Sequence, residues 1–374
     1  IKDTTPVAAV RTTYGAPLYS DHVPDDDALG GRRLRAAGAV ILGKTNTPEF
    51  AAGGNTFNEV FGRTRNPWDP ELSAGGSTGG GAAALATGMI ALAEGTDLGG
   101  SLRVPASFCG VVGLRPSPGL VPTLPTDWAA DDLSVTGPMG RTVADVGLML
   151  GAVAKPSAKF PLSHFLRGSE YAHARHLRVE GRRVAYAPDV AGLGTDPNLE
   201  RVCREAAESL ATSGSGFEVE EVDLDLSAGL ETFLTLRGRW MVEHHRSRLD
   251  RLAELGPNVA GNIRAGLALT PGDIEAAETA REELRRKMRG LFERYDHLLT
   301  PCVPVPPFPV EQDYPESIGG RKMETYIEWI APTFVLTLTD LPVVCVPAGL
   351  DPNGLPVGIQ VAGPPQGEES VLSL

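Results

Sequence analysis

The stretch Gly75–Arg103, GGSTGGGAAALATGMIALAEGTDLGGSLR, constrains the fold more than any other part of the sequence. Ser77 and Ser101 in it each follow a Gly-Gly pair, and the stretch contains no histidine. Glycine lets a backbone turn tightly and lets neighbouring segments approach closely. Ala82–Leu92 is small or apolar on every side, so we expect a helix that is buried all round and is opened by the glycine-rich loop.

Elsewhere, hydrophobic periodicity and turn residues predict alternating helices and strands, which favours an α/β architecture. Helices are expected at Asp25–Ala37, Asp196–Thr212, Gly272–Asp296 (with Thr270 and Pro271 as N-cap and first-turn proline) and Gly367–Leu374. Strands are expected at Ala39–Leu42, Arg182–Asp189, Gly216–Leu224, His297–Pro301, Leu341–Leu350 and Gly354–Pro364, the last two joined by the turn Asp351–Gly354. The Pro-rich segment Thr300–Ser317 is predicted to be a loop.

The composition excludes several classes of function. The 374 residues are 42% hydrophobic and 22% charged, which is typical of a soluble globular protein with a sizeable core. The formal net charge is −13 and no Lys/Arg-rich run is present, so we expect no nucleic-acid partner. No apolar run approaches the roughly 20 residues of a bilayer span and no signal peptide is recognisable, so we expect no membrane span and a cytoplasmic location. The cysteines show no C-x-x-C spacing, which predicts a reducing compartment and neither metal nor other cofactor.

Several functional interpretations of the glycine-rich stretch compete with a purely structural one, in which the glycines only permit close packing. A phosphate-binding Walker A loop is excluded because no lysine occurs between Lys44 and Lys155. The spacing Gly79-x-Gly81-x-x-Ala84 fits a dinucleotide-binding fingerprint. However, Pro67–Ala74 before it is not the apolar strand which that fold requires.

The spacing Gly75-x-Ser77-x-Gly79 also fits the nucleophile elbow of an α/β-hydrolase. Candidate bases for such a triad follow downstream, at His164, His173, His176, His244, His245 and His297. The same missing strand weighs against this interpretation, and it leaves Ser101 without a role. An α/β-hydrolase-type esterase with Ser77 as nucleophile stays an alternative.

A third interpretation uses both serines. A serine hydroxyl is a weak nucleophile until a base takes its proton, and a lysine kept neutral by burial can serve where no histidine is near. Two upstream lysines stand in turn-like settings, Lys2 in IKD and Lys44 in GKTN. The residues alone leave both candidates open.

These segments resemble blocks of the amidase signature family. GGSTGG with its Ala-rich continuation and GTDLGGSLRVPASFCGVVGLRP resemble two blocks, and IKDTTPVAAVRTTYGAP, AVILGKTNTPEF and GLPVGIQVAGP resemble three more in the family's order. The resemblance is dense over Ile1–Pro116 and Leu341–Pro364. It implies one amidase domain over residues 1–374, with a central mixed β-sheet covered by helices on both faces. We expect the chain to lack the family's N-terminal helical segment and its C-terminal end.

The resemblance implies a Ser–cisSer–Lys triad. Ser101 matches the nucleophile, Ser77 matches the proton-passing serine that is held by a cis peptide bond, and Lys2 rather than Lys44 matches the base. Thr78 and Gly81 stand where family members often have serine, and these departures bear on the shape of the pocket.

Further site residues are expected around the triad. The N–H groups of Leu98, Gly99, Gly100 and Ser101 are expected to form an oxyanion hole, because a backbone without side chains can turn them toward a carbonyl oxygen. Thr96, Asp97 and Arg103 are candidates for supporting hydrogen bonds or for ordinary loop capping. Phe50–Asn55 resembles the family's substrate-lining loop, which makes Phe50, Ala51 and Gly53 candidate substrate-binding residues.

The implied reaction is hydrolysis of the carbon–nitrogen bond of an amide through an acyl-enzyme. We expect a small hydrophobic or aryl amide, with urethane (carbamate) and ester bonds as further candidates, and a homodimer stays open. The acidic charge disfavours the glutamine-tRNA amidotransferase branch of the family. A non-enzymatic binding protein on the same fold is the other alternative, and the intact Lys2, Ser77 and Ser101 argue against it.

Overall fold

The computed structural model describes residues 1–163, 171–173, 181–214 and 216–374. His164 and His176, two candidate bases of the esterase alternative, therefore lie outside the described residues. Within the described ranges, no helix combines the length and the apolar character needed to cross a bilayer.

A large mixed sheet lies at the centre of the fold. The strands of the described residues are β1 (Phe57–Asn58), β2 (Gly62–Arg63), β3 (Leu92–Asp97), β4 (Val112–Arg115), β5 (Val135–Gly140), β6 (Arg183–Tyr186), β7 (Glu218–Glu221), β8 (His297–Pro301), β9 (Ser317–Ile318), β10 (Arg321–Lys322), β11 (Val343–Leu350) and β12 (Pro356–Ala362). Eight of them form the central sheet in the order β3-β5-β4-β11-β12-β8-β6-β7, while β1 pairs with β2 and β9 with β10. Neighbours in the central sheet are antiparallel except that β6 runs parallel to β7 and β8.

Helices flank this sheet, as the α/β prediction requires. The α-helices of the described residues are α1 (Leu29–Ala36), α2 (Gly79–Ala86), α3 (Arg103–Cys109), α4 (Val143–Val153), α5 (Pro197–Thr212), α6 (Gly229–His244), α7 (Pro257–Leu267), α8 (Pro271–Phe292), α9 (Ala331–Thr337) and α10 (Glu368–Ser373). Helix α3 packs against β4, β11 and β12, α4 against β5, and α5 against β8, β11 and β12. Buried side chains such as Phe108, Leu114 and Val344 join these layers in one core. Each such side chain contributes about 1.5–3 kcal/mol of burial free energy.

Local sequence signals account for the confirmed elements. Thr270 caps α8 with a reciprocal pair of bonds: its hydroxyl accepts the N–H of Asp273, and the Asp273 carboxylate accepts the N–H of Thr270. Asp196 caps α5, since its carboxylate accepts the N–H groups of Asn198 and Leu199 in the first turn. The predicted strands at β6, β7, β8, β11 and β12 are present, and Asp351 closes the turn between the last two by accepting the N–H groups of Asn353 and Leu355.

Three predictions of local structure are wrong in detail. Ala39–Leu42 is not a buried strand, since Val40 is 81% exposed and Leu42 is 73% exposed. Helix α2 ends at Ala86 rather than continuing to Leu92, because Gly88 has a φ of +75° and stops it. Helix α1 begins at Leu29 rather than at Asp25, and the Asp27 carboxylate accepts the N–H of Ala8 instead of capping the helix.

The fold places both glycine-rich turns next to the sheet. Strand β3 ends at Asp97 and α3 begins at Arg103, so Leu98–Leu102, here called the Ser101 loop, is the connection between a buried strand and a buried helix. Gly75–Thr78, here called the Ser77 loop, leads directly into α2. Helices α2 and α3 pack together, which brings the two loops to the same region.

Candidate active site

The Ser77 loop is held by hydrogen bonds from small polar side chains. The Thr56 hydroxyl donates to Gly75 O at 2.8 Å and accepts the Gly79 N–H at 3.1 Å. The Ser73 hydroxyl accepts the Gly75 N–H at 3.0 Å. The peptide bond between Gly76 and Ser77 is cis, as the family resemblance implies for this serine. The loop thus presents the Ser77 hydroxyl in a fully buried position.

Lys2 is the hydrogen-bond partner of Ser77. Its ammonium or amine nitrogen Nζ lies 2.7 Å from Ser77 Oγ and 2.9 Å from Thr96 Oγ1, and the lysine side chain has no exposed surface. Burial lowers the pKa of Lys2 from 10.5 to about 7, against the opposing effect of the Glu94 and Asp97 carboxylates. With this pKa, a substantial fraction of the lysine carries a neutral amine near pH 7, and the neutral amine can act as a base.

The Ser101 loop is anchored by an ion pair that is completely inaccessible to solvent. The Asp97 carboxylate accepts the N–H groups of Gly100 at 2.8 Å and Leu102 at 3.1 Å, and Arg103 donates to the same carboxylate at 2.9 Å and 3.0 Å. Burial alone would raise the pKa of Asp97, but Arg103 and, further away, Arg115 hold it at about 2. Asp97 and Arg103 therefore shape the loop as supporting residues.

Arg103 extends this anchor across the core. Its Nη1 donates to Thr333 O at 2.7 Å and to Gln360 Oε1 at 2.8 Å, which ties the start of α3 to α9 and β12. Only glycine fits at position 100, which has a φ of +114°, because a Cβ there would lie 2.2 Å from Thr333 Oγ1. The second glycine of the pair before Ser101 is thus required by a close approach of α9.

One of the four N–H groups predicted for the oxyanion hole donates to a side chain of the protein. The Gly100 N–H is directed at Asp97 Oδ1, so it is committed inside the loop and is not free for a substrate. In the part of the chain that the structure describes, the N–H groups of Leu98, Gly99 and Ser101 have no hydrogen-bond acceptor. These three remain as candidate oxyanion donors.

A backbone hydrogen bond joins the Ser77 loop to the Ser101 loop. The Thr78 N–H donates to Ser101 O at 3.2 Å, which fixes the two loops against each other. Lys2 and Ser77 are brought into direct contact, whereas the Ser101 hydroxyl has no hydrogen-bond partner among the described residues. Ser101 is half-buried and lines a cavity, which leaves its hydroxyl facing open space.

Two cavities meet beside Ser101. A small one of about 40 Å³ is lined by Ser101, Leu98 and Gly99. A larger one of about 290 Å³ leads away from it. The lining residues that both cavities share are Phe50, Ala51, Thr96, Ser134 and Trp240.

The three predicted substrate-lining residues lie at these cavities. Phe50 and Ala51 line both cavities, and Gly53 lines the smaller one. Phe50 and Ala51 have φ values of +46° and +60°, a left-handed conformation that costs of order 1–3 kcal/mol per non-glycine residue and is concentrated at functional sites. The Phe50 N–H donates to Tyr14 O at 2.7 Å and so helps to hold this strained turn.

Lys44, His244, His245 and His297 contact residues other than Ser77, and His173 is exposed. Lys44 donates to Thr5 O and to the Thr12 hydroxyl and lies 3.7 Å from the Asp3 carboxylate, which agrees with a structural role. His244 and His245 line the larger cavity, and burial lowers the pKa of His245 to about 3. His297 contacts Ser370.

Several residues around the site were not expected from the sequence. Glu94 accepts the Lys2 backbone N–H at 3.1 Å and the Thr5 hydroxyl at 2.9 Å, and its position inside a short apolar run was a signal that could have identified it. Arg237 and Trp240 line the small cavity from α6. No local sequence feature separates Arg237 from Arg239, which lies two residues further along the same helix and pairs with Glu278.

Comparisons with known proteins identify the family of the chain. The family model described as amidase matches residues 1–372. The chain is 34% identical to an acylamidase of Rhodococcus erythropolis, over 97% of this chain and 76% of that protein. It is also 34% identical to a glutamyl-tRNA(Gln) amidotransferase subunit from Moorella thermoacetica, over 100% of this chain and 80% of that protein. The crystal structure of a bacterial aryl acylamidase of the amidase signature family superposes with a TM-score of 0.89 at 25% identity, over 100% of this chain and 80% of that one.

Proposed function

The chain belongs to the amidase family and is a hydrolase of carbon–nitrogen amide bonds, and on this premise we propose that Ser101, Ser77 and Lys2 form its catalytic triad. Ser101 is the nucleophile, Ser77 passes protons, and neutral Lys2 is the final proton acceptor. The substrate is a small hydrophobic or aryl amide, and urethanes (carbamates) and esters are further candidates.

One observation carries the proposal. Lys2 Nζ lies 2.7 Å from Ser77 Oγ, and burial lowers the pKa of this lysine to about 7. A buried lysine with a neutral amine is an uncommon arrangement, and its contact with a serine hydroxyl has a direct chemical use as a base.

The acylation step moves one proton along the relay. Ser101 Oγ attacks the amide carbonyl, its proton passes to Ser77 Oγ, and the Ser77 proton passes to Lys2 Nζ. Negative charge develops on the carbonyl oxygen, where the free N–H groups of Leu98, Gly99 and Ser101 are available as donors. In comparable sites, removal of one such donor costs about 3–4 kcal/mol of transition-state stabilisation.

The carbon–nitrogen bond then breaks as the relay returns its proton to the leaving amine. An ester between the acyl group and Ser101 remains. Water attacks this ester, gives one proton to the same relay, and the Ser101–acyl bond breaks with return of that proton to Ser101 Oγ. The products are a carboxylic acid, a free amine and the starting enzyme.

Two alternatives have less support. For an esterase with Ser77 as nucleophile, the hydroxyl would need a histidine, but its side-chain partner is Lys2. His244, His245 and His297 have other contacts, and His173 is exposed whereas Ser77 is buried. A non-enzymatic binding protein does not need a buried lysine of low pKa, whose burial is costly for the fold.

The cavity supports a small-molecule amide. Aromatic and apolar side chains such as Phe50, Phe160 and Trp240 line part of the larger space of about 290 Å³, and charged side chains such as Asp131 and Arg248 line the rest. This volume suits a small acyl or aryl group. The relatives at the same identity include an acylamidase and a tRNA amidotransferase component, so we rest the preference for a small amide on this cavity and on the net charge of −13.

A serine-reactive fluorophosphonate followed by peptide mapping tests the assignment of the nucleophile. We expect the adduct on the peptide that contains Ser101, loss of the adduct in Ser101→Ala, and slow labelling of Ser101 in Ser77→Ala because its proton relay is broken. An adduct on Ser77 would favour the esterase alternative. Absence of any labelling in the folded protein would favour the binding protein.

A further inference from the structure

Helix α6 brings one cation to the cavity beside Ser101. Arg237 is 3% exposed and lines the small cavity together with Ser101, Leu98 and Gly99. Among the described residues that line this cavity, it is the only one with a charged side chain. The charge therefore lies next to the place where the substrate carbonyl must bind if the proposed function is correct.

The guanidinium of Arg237 has only neutral partners. Its Nη1 donates to Asn262 Oδ1, and its Nη2 donates to the Tyr326 hydroxyl at 2.5 Å. Asn262 also donates to the Tyr326 hydroxyl, at 2.7 Å, so the three side chains form one cluster. In the described ranges of the chain, Arg237 makes no ion pair with a carboxylate, and its Nε donates no hydrogen bond.

This arrangement differs from that of the other buried arginines among the described residues. Arg103 is paired with Asp97, and Arg281 is paired with Asp132 and Asp340. A buried charge without a counter-charge is costly, and proteins usually pair it or use it to bind a ligand. Asn262 and Tyr326 hold the guanidinium in place without neutralising it, which keeps the positive charge available to the cavity.

We propose that Arg237 binds a carboxylate of the substrate close to the scissile amide. This inference rests on the proposed function and narrows it, because the substrate then carries an acidic group beside the amide and an apolar remainder. The planar guanidinium provides charge-assisted hydrogen bonds to a carboxylate. The apolar remainder fits against Phe50 and Trp240, where the larger cavity begins.

Two matched substrate pairs test the proposal on the acyl and amine sides. The acyl pair is butyryl 4-nitroanilide and the mono-4-nitroanilide of succinic acid, which differ by a methyl group in place of a carboxylate. The amine pair is the acetanilide of 4-ethylaniline and that of 4-aminophenylacetate. The ratio of kcat/KM for the acidic and neutral members is measured in wild type, Arg237→Gln, Arg237→Lys and the control Arg264→Gln, in which an exposed arginine of the neighbouring helix α7 is neutralised.

We expect wild type to prefer the acidic member of at least one pair. Arg237→Gln should lower the acidic-to-neutral ratio of that pair by about 10- to 100-fold, as loss of a hydrogen bond to a charged group predicts, while kcat/KM for the neutral member changes far less. Arg237→Lys should retain part of the preference, and Arg264→Gln should retain all of it. A purely structural Arg237 would affect both members equally.

The proposal is overturned if wild type prefers the neutral member in both pairs, a result that needs no variant and so holds even if Arg237→Gln does not fold. It is also overturned if the ratio is the same in Arg237→Gln as in wild type. A second measurement needs no turnover. It compares how strongly the acidic ligands succinate and 4-aminophenylacetate slow the labelling of Ser101 by the fluorophosphonate with the effect of the neutral ligands butyramide and 4-ethylaniline. Failure of Ser101 to be labelled at all would instead count against the proposed triad, so the two failures are distinguishable.

Discussion

Lys2→Met should strongly slow acylation and at the same time stabilise the fold at neutral pH. In wild type, the acid limb of acylation should have its midpoint near pH 7, because burial lowers the pKa of Lys2 to about 7 and only the neutral amine can accept the proton of Ser77. Removal of a general base typically costs about 10²–10⁴-fold in rate. Methionine has a similar length and no charge, so it keeps the space filled.

The effect on stability follows from the same pKa. Its lowering from 10.5 to about 7 means that charging this lysine in the folded protein costs roughly 5 kcal/mol. Between these two pH values the unfolded chain binds a proton that the folded protein does not, so the penalty is fully present below pH 7 and fades as the pH rises toward 10.5. Lys2→Met removes this penalty but loses the hydrogen bonds to Ser77 and Thr96, at about 1 kcal/mol each.

The variant should therefore gain about 2–3 kcal/mol of unfolding free energy at pH 7 and become less stable than wild type near pH 10. Urea unfolding at the two pH values measures the stability, and the burst of 4-nitroaniline release measures acylation. Lys44→Met is the matched control, since burial lowers the pKa of Lys44 to about 8 as well but its contacts are Thr5, Thr12 and Asp3. If Lys2→Met acylates normally, or if Lys44→Met is folded and inactive, the assignment of the base is wrong.

Three further predictions concern other parts of the site. Asp97→Asn should destabilise the protein by about 3–5 kcal/mol in urea, because Arg103 and Arg115 are left buried without their carboxylate, and an unchanged midpoint would contradict the anchor. In wild type the contribution of Asp97, whose pKa is lowered from 3.8 to about 2, should be complete above pH 3.8 and be lost as the pH falls through 2 in acid unfolding. Replacing each of the seven histidines singly with Gln should leave amide hydrolysis measurable, and loss of turnover in one folded variant would reopen the esterase alternative. Activity should persist after dialysis against a chelator, and recovery of a lost activity by zinc would refute the expectation of a metal-free enzyme.

The sequence determined those parts of the fold that depend on neighbouring residues. Thr270, Pro271 and Asp273 define the start of α8 because capping bonds form within one turn. The alternation of apolar residues in β11 and β12 and the turn at Asp351 define a hairpin for the same reason. The family resemblance further predicted a central mixed sheet with flanking helices, and the structure confirms this prediction.

Local pattern failed where burial depends on distant segments. Ala39–Leu42 has the composition of a buried strand, but no strand of the described residues pairs with it, and Val40 and Leu42 lie exposed. An apolar run specifies that burial is favourable, not which surface will cover it. The end of α2 at Ala86 is different, because Gly88 was visible in the sequence as a stop signal.

At the site, the sequence identified the reacting groups but not their surroundings. The glycine pairs before Ser77 and Ser101 are local features, and the resemblance selected Lys2. Only the tertiary structure decided that Lys2 Nζ would lie against Ser77 Oγ without solvent, that Asp97 would occupy the Gly100 N–H, and that Arg237 would reach the cavity beside Ser101. The pKa of a lysine and the pairing of an arginine depend on solvent exclusion and on charges that folding brings close. The solvent exclusion and the close charges arise only when α2, α3, α6 and β3 are packed together.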